Sequence, residues 1–217
     1  MTMSETIRVC ANKVPPMTAR QRLIVVLLLG ANFMLSADFS ILNIALPVVG
    51  EAVGLNAENL PWVSTAFALP AAGLSLLFGR LGDLYGRRRI FLTGLFLLTA
   101  ASLLGGISTE PALLLAARAL QGVASAMTAP AALSLLITTF ADERQRARVL
   151  GLNGSLLSGG FTVGALVGGM LVGVLSWRWA FLINVPVTLV ILLLTLIVVP
   201  QVVRAKLCGS TFRARHP

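Results

Sequence analysis

The chain has 217 residues, 57% of them hydrophobic and only 12% charged, with a mean hydropathy of +0.90. A soluble domain carries about 25% charged residues, so an ordinary soluble fold is excluded. The net charge of +9 lies in short islands between apolar runs and forms no continuous basic face, which argues against nucleic-acid binding.

Residues 1–22 form a basic N-terminal segment containing Arg8, Lys13, Arg20 and Arg22. A helix that crosses a bilayer needs about 20 mostly apolar residues. Six runs qualify, at about 23–49, 60–80, 89–109, 112–138, 149–175 and 179–200. The first could be read as a signal-peptide core, Leu23–Ala31, with Ala37 as a cleavage position. The apolar sequence continues to Val49, however, beyond the length of such a core. An open sheet cannot cross a bilayer, and the period-two alternation of a closed barrel is absent. The expected fold class is therefore an all-α membrane protein with six transmembrane helices. The many Gly and Ala residues in these runs suit close helix–helix packing in lipid. After the last run, residues 201–217 are basic and aperiodic, and a disordered tail is expected there. Cys10 and Cys208 lie near opposite ends without metal-ligand spacing, so no disulfide framework is implied.

Charge orders the runs across the membrane. Fifteen of the seventeen Lys and Arg residues fall in the N-terminal segment, the junctions after the second and fourth runs, and the tail. The intervening junctions carry Glu51, Glu58, Glu110 and only Arg178. Excess Lys and Arg marks the cytoplasmic side, so both termini are expected in the cytoplasm. The junction after the second run, "GRLGDLYGRRR" (Gly79 to Arg89), would face the same compartment. Its arginines can anchor the topology and touch anionic lipid. That reading leaves Asp83 and the glycines Gly79, Gly82 and Gly86 unaccounted for.

Two charges lie inside the apolar runs, Asp38 in the first and Arg118 in the fourth. Either one disfavours insertion by roughly 2.5–3.5 kcal/mol at a helix centre. Asp38 lies nine residues before Pro47, about 14 Å at 1.5 Å per residue, and Arg118 lies seven after Pro111, about 10 Å from the same surface. Opposite charges at matching depths can pair, either as a static pair that helps assembly or as a protonation switch. Gln121 shares a helix face with Arg118. Asn43, Gln121 and Asn153 are candidates to line a substrate cavity; the asparagines, with Asn32, serve equally well as interhelical glue. Gly160, Gly164 and Gly168 recur at four-residue spacing and make a close-packing face or a gate.

Chemistry removes several classes. The only histidine, His216, lies in the tail, there is no H-E-x-x-H or cysteine cluster, and no G-x-x-x-x-G-K-[ST] phosphate loop. No enzyme activity, metal or cofactor is expected, and an ion gradient is the remaining energy source.

The junction Gly79, Gly82, Asp83, Gly86, Arg87, Arg88 resembles the loop motif between the second and third helices of major facilitator superfamily transporters. "DFSILNIALP" from Asp38 and "WVSTAF" from Trp62 resemble the first and second helices of its drug:proton antiporter branch, particularly the fourteen-helix group. Arg118-Ala-Leu-Gln121-Gly122 resembles the fourth-helix motif. "GFTVGALVGG", with Gly160, Gly164, Gly168 and Gly169, resembles the fifth-helix antiporter motif, with Ala165 where the pattern has proline. "SWRWAFLINVP" from Ser176 resembles the opening of the sixth.

The resemblance implies a bundle of two inverted three-helix repeats and proton-coupled efflux of drug-like small molecules, with Asp38 and Arg118 as the coupling pair. It implies a multi-pass protein of the cell's inner (plasma) membrane. Such carriers have two six-helix bundles, and residues 23–200 match one. The implied partners are the lipid bilayer, a small-molecule substrate, and a second six-helix half or a second copy of the chain. In that family Asp83 would latch its junction to the other bundle. The rival expectation is a truncated, non-transporting fragment or a six-helix assembly partner.

Overall fold

The computed structural model describes residues 17–140 and 142–198. The expected disordered tail, both cysteines and most of the N-terminal segment lie outside these residues. The helices are α1 (Ala19–Val53), α2 (Leu60–Tyr85), α3 (Arg87–Gly106), α4 (Pro111–Thr139), α5 (Glu143–Val174), α6 (Trp179–Leu182) and α7 (Asn184–Val198). No strand occurs among the described residues. Six spans are long and apolar enough to cross a bilayer, α6 and α7 together making the sixth.

Several helices outrun the apolar stretches that reveal them, because apolarity marks the hydrocarbon layer while capping sets where a helix stops. α1 starts at a capping box in which Thr18 accepts from the Gln21 amide at 3.2 Å and the Gln21 side chain accepts from the Thr18 amide at 2.9 Å. α5 starts six residues before the apolar run, where the Asp142 carboxylate accepts from the Gln145 amide at 2.9 Å. α2 continues through Gly79 and Gly82 to Tyr85, so most of the expected loop is helix. A single residue, Gly86 at φ 103°, breaks the chain between α2 and α3. That region of backbone space is open to glycine and closed to most side chains.

The sixth span was expected as one run, and it is interrupted at Ile183. Pro186 gives the reason. Its ring clashes with the carbonyl four residues back, here Leu182, where α6 ends. The proline is then tolerated as the third residue of α7, in the first turn, whose amides have no intrahelical partner.

The chain enters the triplet α1–α3 at the arginine-rich end, where α1 starts, and enters the triplet α4, α5 and α6–α7 at the opposite end, where α4 starts. The triplets interlock reciprocally: α1 packs mainly on α5, and α2 mainly on α4. This is the six-helix bundle of two inverted repeats. α1 is its centre. In their most apolar stretches α1 is 72% buried, α2 only 11% and α5 only 17%.

Glycines set the α1–α5 spacing. A Cβ at Gly160 would lie 2.6 Å from the Phe33 carbonyl oxygen, one at Gly164 2.6 Å from that of Ala37, and one at Gly168 2.9 Å from Ile41 Cα. Gly169 shares the sequence motif but turns away, with nothing within 4 Å. Replacing Gly164 by Val therefore overpacks a backbone contact and should cost about 1–3 kcal/mol. Gly169→Ala should stay within about 0.5 kcal/mol. Unfolding midpoints in detergent measure both, and equal effects would show that the stripe does not set the spacing.

Candidate functional site: a buried charge network

Asp38 and Arg118 meet at the centre of the bundle, 2% and 0% exposed. Arg118 Nη1 donates to Asp38 Oδ2 at 3.1 Å and to Gln121 Oε1 at 2.8 Å. Gln121 Nε2 passes the chain on to Ser102 Oγ of α3 at 3.0 Å. On the other side of the acid, Asn184 Nδ2 donates to Asp38 Oδ1. The guanidinium lies 4.5 Å from the centre of the Phe67 ring on α2, a cation–π contact, and the Phe67 ring lies 5.6 Å from that of Phe39, tilted by 38°. Five helices thus converge on one ion pair.

Local sequence explains how they reach it. The helical spacing of Arg118 and Gln121 puts both on one face of α4. Gly122 lets α4 come so close that a Cβ there would collide with the Phe67 carbonyl and lie 2.7 Å from Pro70 Cγ. Asn184 is the first residue of α7, placed at the acid by the break at Ile183 that Pro186 imposes. Its backbone carbonyl accepts from Thr188 Oγ1 at 2.7 Å, and Thr188 pairs with Thr99 of α3 at 2.9 Å. Two polar atoms of the network are buried without a partner, Arg118 Nε and Asn184 Oδ1.

The remaining predicted residues lie elsewhere. Asn43 donates to the Phe39 carbonyl at 2.7 Å and accepts from Ser64 Oγ at 3.0 Å, tying α1 to α2. Asn153 accepts from Asn32 Nδ2 at 2.7 Å, tying α5 to α1. Of the three cavity candidates, only Gln121 joins the ion pair. Asp83 is 60% exposed and binds Arg87 through Nη2 at 2.8 Å, across the α2–α3 break. Arg87 Nη1 also reaches the Ser134 carbonyl of α4 at 3.2 Å, and Arg88 Nη2 the Leu196 carbonyl of α7 at 2.8 Å. Gly79 faces open space, and a Cβ at Gly82 would make only ordinary contact with Arg87, so Gly86 alone forms the turn.

Ser102, Phe67 and Asn184 were not singled out for this site. Asn184 carried a usable signal: a polar residue inside an apolar run, two positions before a proline. Ser102 carried none, because serine is common in apolar helices.

Removing one member of a buried pair leaves the other charge uncompensated. Arg118→Leu should destabilise the bundle by roughly 3–5 kcal/mol, and adding Asp38→Asn should recover a large part of that loss. No recovery in the double variant would show that the two charges do not interact. Asp83→Asn removes an exposed i,i+4 pair and should cost about 0.5 kcal/mol or less. Unfolding in detergent reads all three.

The sequence profile of the Major Facilitator Superfamily matches residues 28–211. The puromycin resistance protein pur8 of Streptomyces alboniger is 45% identical over 168 residues, 77% of this chain and 33% of the relative. The cephamycin export protein CmcT of Amycolatopsis lactamdurans is 42% identical over 164 residues, 76% of this chain and 34% of the relative. The lincomycin resistance protein of Streptomyces lincolnensis is 36% identical over 170 residues, 77% and 34% respectively. The chain spans about a third of the length of these relatives. With six apolar helices, two interlocked inverted triplets and this profile match, the chain belongs to the Major Facilitator Superfamily and is a multi-pass membrane protein.

Proposed function

We propose that this chain supplies one six-helix bundle of a secondary carrier that exports drug-like or antibiotic small molecules in exchange for protons across the cell's inner (plasma) membrane. The observation that carries this reading is the buried Asp38–Arg118 pair. Ionisable groups within spans are costly and usually mark an ion or proton path. A proton on Asp38 leaves Arg118 as an uncompensated buried charge, which favours any arrangement that gives the guanidinium another partner or water. The two protonation states of one acid thereby bias two conformations. The names of the relatives, which refer to resistance to puromycin and lincomycin and to cephamycin export, support the substrate class.

The arginine-rich end faces the cytoplasm in this reading. Among the described residues it carries nine arginines against Asp83, Asp142 and Glu143, while the other end carries Glu51, Glu58, Glu110 and Arg178. The little-buried apolar faces of α2 and α5 support a second six-helix bundle, or a second copy of this chain, as the partner that completes the translocation path.

The test is a chimaera in which residues 28–198 replace the matching part of the Streptomyces alboniger puromycin relative, followed by efflux from vesicles under an imposed pH gradient. Gradient-driven efflux of puromycin is expected, and Asp38→Asn should lower it by about 5- to 150-fold, the usual range of a coupling between two sites. A chimaera that keeps its full dependence on the pH gradient with Asn at position 38 overturns the proposal.

A further inference from the structure

The acid of the pair is held from two sides, and only one of the holders is charged. Arg118 occupies Oδ2 and the Asn184 amide occupies Oδ1. A proton that arrives at Asp38 is disfavoured at the oxygen facing the guanidinium, so it goes to Oδ1. There it meets the amide's N–H, a donor facing a new donor. Asn184 is fully buried, and its own carbonyl oxygen, Oδ1, has no hydrogen-bond partner. A side-chain amide has two donor hydrogens on one arm and an acceptor oxygen on the other. Turning it over exchanges them in nearly the same space.

We propose that Asn184 is the positioning residue for the proton on Asp38: its amide donates to the ionised carboxylate and, turned over, accepts from the protonated one. This rests on the reading of Asp38 as the proton-carrying acid. The step balances simply. A proton from the aqueous phase bonds to a lone pair of Asp38 Oδ1, the N–H···O bond from Asn184 breaks, and an O–H···O bond to the Asn184 carbonyl forms. The turn adds no unsatisfied group, because one amide arm is unpartnered before it and the other arm takes that place after it. The backbone need not move. Thr188 holds the Asn184 carbonyl, and Thr99 of α3 holds Thr188.

Among the described residues, no other titratable group meets the acid here besides Arg118. From α4, Arg118 and Gln121 face the acid and its partner; α2 contributes Phe67, α3 contributes Ser102 through Gln121, and α7 contributes Asn184. On α5, Gly164 packs against Ala37, the residue before the acid. The charged and titratable residues of these elements, Arg20, Arg22 and Glu51 on α1, Arg80, Asp83 and Tyr85 on α2, Arg87–Arg89 on α3 and Glu143–Arg148 on α5, lie toward the helix ends, as does Arg178 before α6. Among the described residues, the Asn184 amide is therefore the neutral group hydrogen-bonded to Asp38 that can serve both protonation states.

Infrared pH-difference spectroscopy on the full chain in lipid nanodiscs tests this without any transport. The carboxyl band of Asp38 is identified by its loss in Asp38→Asn. In Asn184→Leu that band is expected at the higher frequency of a carboxyl lacking its acceptor, with a changed midpoint. Should Asn184→Leu fail to fold, the wild-type chain carrying isotope-labelled asparagine supplies the second measurement. One amide carbonyl band should then change with the same midpoint as Asp38. An Asp38 band that titrates at an unaltered frequency and midpoint in Asn184→Leu, or asparagine bands that do not respond to pH, overturns this inference and leaves the proton-coupling reading standing. Absence of any titrating Asp38 band overturns both.

Discussion

Two opposite charges buried among apolar helices must find each other before either is tolerable, and the bundle is organised around that requirement. Asp38 comes from the central helix and Arg118 from the first helix of the inverted triplet, so neither charge is satisfied until α1 and α4 are side by side. Both groups are buried, and most of their remaining hydrogen-bonding capacity has to come from protein. Gln121, Asn184 and the face of Phe67 supply it from three helices. The pair is thus less a fastening between two helices than a point where five have to agree.

Such agreement needs close backbones, and small residues lie where the charges are. Gly164 fits against Ala37, the residue before Asp38, and Gly122 follows Gln121 where α4 touches the backbone of α2. In lipid, helices gain little from hydrophobic burial against one another, so contact of this kind and interhelical hydrogen bonds carry the packing. Pro186 serves the same end differently: by ending α6 at Leu182 it lets the chain present Asn184 to the acid as the first residue of a new helix.

Much of this could be read in the sequence, for specific reasons. Spans were legible because a bilayer imposes a length and a polarity on any helix that crosses it. Asp38 and Arg118 were legible because a charge is conspicuous in an apolar run, and their matched depths followed from helical rise alone. The glycine stripe was legible as a four-residue period, although its extent was not: Gly169 belongs to the motif and not to the contact. The junction before Gly86 reads as loop in the sequence because it is polar, yet polarity does not imply irregular backbone, and α2 carries these residues in helix to Tyr85. Ser102 and Phe67 were out of reach, since their roles depend on which helix faces which, and apolar runs of similar composition do not encode that. Asn43 and Asn153 were ambiguous for the same reason, and three-dimensional packing places both at helix–helix contacts away from the pair.

The glycine contacts divide the bundle in a way that bears on the charges. α5 is fixed to α1 by Gly160, Gly164 and Gly168. α2 is fixed to α4 by Gly122, and α3 to α4 by Gly94, whose Cβ position is closed by Thr128 and the Ala124 carbonyl. Asp38 belongs to the first group and Arg118 to the second. The ion pair therefore bridges two closely packed sets of helices rather than lying within either. A change of charge inside one set would be resisted by its own packing. At the seam between them, the same change alters an attraction that few backbone contacts reinforce. A buried pair placed there can influence how the two sets are arranged, and the neutral amide of Asn184, entering from the sixth span, is the third element that meets them at that point.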